Sequence, residues 1–137
     1  MTENNPTNST PEMRLEVVPV PVADIDLAKA FYAEKVGFHV DHDSYPSENV
    51  RVVQLTPPGS ACSIVIGTGL GEISEMKPGT VKGLHLVVKD IRQTRDILMG
   101  RGVEMGEVIE YPRGIKFSSF RDPDGNSWTL QEIPPGL

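Results

Sequence analysis

An α+β fold made of two βαβββ modules is predicted by three features of the sequence. One is a turn, Asp122-Pro123-Asp124-Gly125-Asn126, that runs into the alternating stretch Ser127 to Glu132. Pro123 presets φ, Asp124-Gly125 tolerates positive φ, and a strand follows, so the stretch reads as a hairpin. The second is an earlier counterpart, Thr56-Pro57-Pro58-Gly59, between Leu55 and the run from Ser60 to Ile66. The third is a repeated helix start: Val22-Ala23-Asp24-Ile25 lines up with Val88-Lys89-Asp90-Ile91, Phe31-Tyr32 with Ile97-Leu98, and Gly37-Phe38 with Gly102-Val103. The order of elements repeats along with the residues. Each module alone leaves one face of a small sheet uncovered, and pairing two around a shared concave surface buries it.

Residues 1–12 are rich in Asn, Thr, Pro and Glu without apolar periodicity and read as a disordered tail. The first module, about 13–66, opens with a β-rich run from Arg14 to Val22. Pro19 and Pro21 cannot donate to a ladder, which places this strand beside an edge or a bulge. Asp24 caps a helix from Ile25 to about Val36, with Ile25, Ala28, Phe31 and Tyr32 on its apolar face and Gly37 as its stop. Strands are predicted at Phe38 to His42, Val50 to Leu55 and Cys62 to Ile66. Residues 67–80 form a linker by composition; Gly67, Gly69 and Gly71 read as a hinge, because no helix pattern opens directly after them to cradle a phosphate. The second module, about 81–133, repeats the order. A strand carries Leu84, Leu86 and Val88, Asp90 caps a helix from Ile91 to Arg101, and strands follow at Glu104 to Tyr111, Ile115 to Phe120 and Ser127 to Glu132.

At 137 residues the chain is long enough to bury a real core as one domain. Its hydrophobic share of 38% and charged share of 23% are ordinary for a soluble protein, and a net charge of -6 argues against nucleic acid as the main partner. No apolar run is long enough to span a bilayer, and Met1 to Thr10 is polar where a signal peptide is basic and then apolar. A cytoplasmic location without membrane attachment is expected. The lone Cys62 leaves no internal disulfide and no cysteine-rich zinc site, and its Ala-Cys-Ser-Ile setting offers no activating base. Neither a serine-nucleophile elbow nor a glycosidase-like carboxylate pair can be placed.

The doubled βαβββ order, the Val-x-Asp-Ile helix starts, Ala28-Lys29-Ala30-Phe31-Tyr32 and the Asp-Pro-Asp-Gly-Asn hairpin resemble the vicinal oxygen chelate superfamily. That superfamily holds glyoxalase I, bleomycin-resistance proteins and extradiol dioxygenases, and the likeness runs from Met13 to Ile133. It implies a cup-shaped mixed sheet with flanking helices, often completed between two chains of a homodimer, with a small organic ligand inside. It also implies a divalent metal held by His, Gln or Glu from four strands, acting as a Lewis acid on vicinal oxygens. On this chain those positions fall at Val17, Gly83, Thr129 and a residue between Ser63 and Ile66. Val17 and Gly83 have no coordinating side chain, and no Asp, Glu or His occurs from Arg51 to Gly71. The usual metal site is therefore not expected, and no other cofactor is implied.

His85 follows Gly83 by two residues, so alternation puts it on the cup face. The same rule collects Ser127, Thr129 and Gln131 from the last strand, with Ser119 from the strand before. The expected cup is mostly apolar, lined by Val17, Pro19, Ile64, Ile66 and Val87, with His85, Ser127, Thr129 and Gln131 as polar handles. Two functions fit it. One is metal-free binding of a small organic molecule; the other is a lyase or isomerase in which His85 is the acid–base group, or a metal enzyme with displaced ligands. Against both stands a His85 that is simply hydrogen-bonded in the core. His39 and Asp41 alternate to one face and His42 to the other, so they do not converge on an ion. Glu132 and Trp128 alternate away from the cup, and Arg113, Lys116 and Arg121 read as surface.

Overall fold

The computed structural model describes residues 9–136 of the chain. The expected tail lies outside the described residues up to residue 8, and residues 9–12 carry no regular structure. The first module consists of β1 (Val17–Pro19), α1 (Ile25–Ala30), β2 (His39–Ser47), β3 (Val50–Thr56) and β4 (Ser63–Thr68). A short helix, α2 (Glu72–Glu75), sits in the connecting segment. The second module has β5 (Leu84–Val88), α3 (Ile91–Gly100), β6 (Ile109–Glu110), β7 (Lys116–Arg121) and β8 (Ser127–Glu132). Each module makes one four-stranded sheet, in the orders β1-β4-β3-β2 and β5-β8-β7-β6. The first strand of each pairs in parallel with the last, and the other neighbours are antiparallel. Two sheets of one plan are what the repeated sequence encodes.

Local chemistry sets the ends of the elements. Asp24 and Asp90 cap the two helices, each accepting a backbone N–H at 3.0 Å, from Leu27 and Gln93. The expected helix to Val36 keeps its length but widens after Ala30 into a π-helix, Phe31–Val36, which closes at Gly37 (φ 96°) with a bond back to Tyr32 O. Phe31, Tyr32 and Val36 are all buried on it. β4 continues past Ile66 to Thr68 because Gly67 slides by the Arg51 carbonyl, where a Cβ would stand only 2.2 Å from the oxygen. Of the strand expected from Glu104 to Tyr111 only Ile109–Glu110 pairs, and β1 is short because Pro19 and Pro21 flank its last donor.

One hydrophobic core joins the modules. Tyr32 and Phe38 meet Trp128 at ring separations of 5.7 and 5.6 Å, and Phe31 lies 6.3 Å from Phe120. The Asp-Pro-Asp-Gly-Asn turn, legible as a hairpin, is also the staple between the halves. Buried Asp122 accepts from the Tyr32 hydroxyl (2.7 Å), from Asn126 Nδ2 (2.8 Å) and from two backbone N–H groups of its own turn. Asn126 gives its other amide hydrogen to Pro21 O (2.8 Å) and accepts from Val81 N (3.1 Å), while Trp128 Nε1 donates to Tyr32 (2.9 Å). Among the described residues no buried side-chain polar atom is left without a partner, so the network is fully satisfied.

Candidate functional site

Helices and core cover one face of each sheet, and the opposite faces are the candidate site. In the second sheet Leu84 and Leu86 pair with Trp128 and Leu130 on the core side, which turns His85 and Val87 outward beside Thr129 and Gln131. Ser119 pairs with Thr129 and Phe117 with Gln131. His85, Thr129 and Ser119 therefore form one row across the sheet, and Val87, Gln131, Phe117 and Ile109 the next. These groups are neighbours within one sheet, where the sequence suggested that they face each other across a cup. Val87 and Ile109 are 66% and 54% exposed. Ser127, the remaining residue on this face, accepts from Gly83 N–H at 2.8 Å.

His85 stands where several hollows meet. A cavity of about 310 Å³ on the outer face is lined by His85, Phe117, Tyr111, Ile109, Glu107 and Thr129, among others, all from the second module. A second, of about 490 Å³, brings His85 and Val87 together with Phe38 and the Pro57-Pro58 turn, and a third, of about 100 Å³, brings it to Cys62 and Ser63. The imidazole and Tyr111 both meet the Phe117 ring edge-on, at 6.0 and 5.4 Å. His85 Nδ1 lies 2.7 Å from Gly83 O. A carbonyl only accepts, so Nδ1 carries a proton, and in the neutral tautomer the lone pair is on Nε2.

On the first sheet the register corrects two expected cup residues. Val17 and Pro19 pair with Ser63 and Val65, whereas Ile64 pairs with Val18 and Leu55 on the core side. Ile64 and Ile66 are 4% and 1% exposed in the core, so Ser63 and Val65 take the outer face instead. Alternation along β4 was legible in the sequence, but its phase comes from the partner strands. A β-bulge between Val40 and His42 corrects the histidines as well: His39 pairs with Thr56 and His42 with Gln54, which puts both on one face. Asp41, on the bulge, accepts a hydrogen bond from Thr56 Oγ1, which lies 2.6 Å from Ser63 Oγ. His39 Nε2 is 3.9 Å from Asp41. The Asp41–Thr56–Ser63 row escaped the sequence reading because only the bulge brings Asp41 over Thr56.

The family model for the glyoxalase/bleomycin resistance protein/dioxygenase superfamily matches residues 14–130. The chain belongs to this superfamily. It is 30% identical over 122 residues to the uncharacterized protein YetH of Bacillus subtilis (strain 168), a match covering 87% of this chain and 98% of YetH. It resembles the crystal structure of TnmS3, an antibiotic binding protein from Streptomyces sp. CB03234, with a TM-score of 0.80 and 31% identity over 92% of this chain and all of that one. A superfamily member from Sphaerobacter thermophilus DSM 20745 gives 0.77 and 30%, over 88% of this chain and 98% of its own.

The superfamily's metal positions can now be placed in three dimensions. Pro19 and His85 occupy the same place before the capping aspartates, so Val65, beside Pro19, corresponds to Thr129, beside His85. The donor set is then Val17, Val65, Gly83 and Thr129, which offers one hydroxyl oxygen and does not fit a divalent ion. Among the described residues no three His, Cys, Asp or Glu side chains cluster in a metal-binding arrangement. Trp128 is in the core, and Glu132 accepts from Ile91 N–H (2.8 Å) and Lys116 (3.2 Å), the backbone bond holding its carboxyl below the usual range. Arg121 reaches Gly125 O, Arg113 stands in the 3₁₀ turn before β7, and Cys62 is free and half-buried. No helix among the described residues is long and apolar enough to cross a membrane.

Proposed function

We propose that this protein binds a small organic molecule between the outer faces of its two sheet types, without the four-ligand metal, and that a second copy of the chain completes the cup. The observation that carries this reading is His85, standing at the junction of three hollows and beside an aromatic wall, where the superfamily's metal positions supply no ligand set. A mostly apolar cavity with a few convergent polar groups is the usual form of a small-molecule site. The likeness to an antibiotic binding protein over the whole of its length supports binding as the activity. Exposed Val17, Val87, Ile109 and Tyr111 on the outer faces support a homodimer, since such apolar surface is normally covered.

A second reading is favoured by the tautomer of His85. With Nδ1 held by Gly83 O, Nε2 is a base poised at the cavity, as a lyase or isomerase reaction by proton transfer needs. Metal analysis and sedimentation of the purified protein, alongside His85→Ala, test both readings. A metal-free dimer whose ligand affinity falls on His85→Ala is expected. A stoichiometric divalent ion that resists dialysis would overturn the metal-free reading, and a His85→Ala protein that keeps affinity but loses turnover would favour the enzyme.

A further inference from the structure

We propose that Asp41, Thr56 and Ser63 form a polarised relay that makes Ser63 Oγ an obligatory hydrogen-bond acceptor for a ligand carrying an O–H or N–H group. This rests on the small-molecule reading above and names the chemistry of the ligand. Thr56 has one hydroxyl proton, and an ionised carboxylate has none to give, so the Thr56–Asp41 bond uses the threonine's proton. The 2.6 Å contact between Thr56 and Ser63 must then carry the proton of Ser63. Ser63 Oγ is left with lone pairs alone.

Two features set this row apart from a chance cluster of exposed hydroxyls. Asp41 is aimed at Thr56 by the bulge between Val40 and His42, and bulges are a common device for redirecting a side chain at a site. Ser63 is only 6% exposed, and that small opening borders the hollow it shares with His85. Successive hydrogen bonds ending on a carboxylate strengthen one another, so the oxygen at the part-buried end of this row is a better acceptor than an isolated serine. An oxygen with only lone pairs to offer selects for a ligand that brings its own hydrogen.

The test uses a matched pair of probes, 1-naphthol and 1-methoxynaphthalene, which differ in whether the oxygen carries a hydrogen. Both are titrated into the full-length protein and into Ser63→Ala, Thr56→Val and Thr56→Ser, with amide NMR spectra recording folding and the position of binding. The wild type is expected to prefer 1-naphthol by about tenfold. Thr56→Val, which frees the serine proton, and Ser63→Ala should both bring the two affinities within about twofold, and Thr56→Ser should restore the preference. Equal affinity of the two probes for the wild type overturns the relay while leaving the binding reading intact. A preference that survives Thr56→Val in a folded protein overturns it too. Binding of neither probe to the wild type removes the reading on which the relay rests.

Discussion

Tyr32 donates a hydrogen bond to Asp122 and accepts one from Trp128 in a fully buried site, so the phenol is held by both neighbours at once. Burial, and then the negative charge of Asp122, push its ionisation far above the ordinary phenol value of 10.0. A raised folded value means that the stability it contributes is complete below that ordinary value and is lost as the pH climbs beyond it. Tyr32→Phe should cost about 1–3 kcal/mol in urea unfolding at neutral pH, and should flatten the decline of stability in alkali. Asp43 works with the opposite sign. Hydrogen bonds from Arg51, at 3.0 and 2.9 Å, and then from Lys29, at 2.8 Å, hold its carboxyl well below the ordinary 3.8. That contribution is present above the ordinary value and is lost as the pH falls through the lower folded one. In Asp43→Asn, unfolding midpoints measured from about pH 6 down to about pH 2 should fall less steeply than in the wild type.

At the level of the element, β4 depends on a single missing side chain. A Cβ at Gly67 would meet the Arg51 carbonyl oxygen at 2.2 Å, and neither backbone can yield without breaking the β3–β4 ladder. Gly67→Ala should therefore destabilise the protein by about 2 kcal/mol or more in chemical denaturation. The same residue shows what sequence reading can and cannot reach. Glycines at 67, 69 and 71 look like a hinge by composition, yet the first belongs to a strand, because what matters is the carbonyl beside it. Capping aspartates, the final hairpin and the alternation of β5 and β8 were legible, since each signal lies within a few consecutive residues. The π turn after Ala30, the bulge at Asp41 and the phase of Ile64 were not, because each is fixed by a partner distant in sequence. For the candidate site this decided which half could be foreseen. His85 and Thr129 follow from parity alone, whereas Ser63 and Asp41 require the register.

At the level of the whole molecule, the turn at Asp122–Asn126 holds the modules together. Asn126 satisfies Pro21 O, Val81 N and Asp122 at once, and it is fully buried. Asn126→Ala would remove these three bonds, leaving the Val81 N–H without its acceptor and taking one donor each from Pro21 O and Asp122. It should cost about 2–4 kcal/mol and raise hydrogen exchange at Val81 more than at β3, with unfolding by two probes, one in each module, losing its coincidence. The sequence distances in this staple are long: Asp122 lies 90 residues beyond Tyr32 and Trp128 lies 96. On the ribosome, then, the amino-terminal half emerges with its central tyrosine unmatched and its aromatic surface bare, and must wait until Asp122 and Trp128, 90 and 96 residues further on, have been made. A stalled or shortened transcript would yield a sticky half-protein in place of a smaller working one.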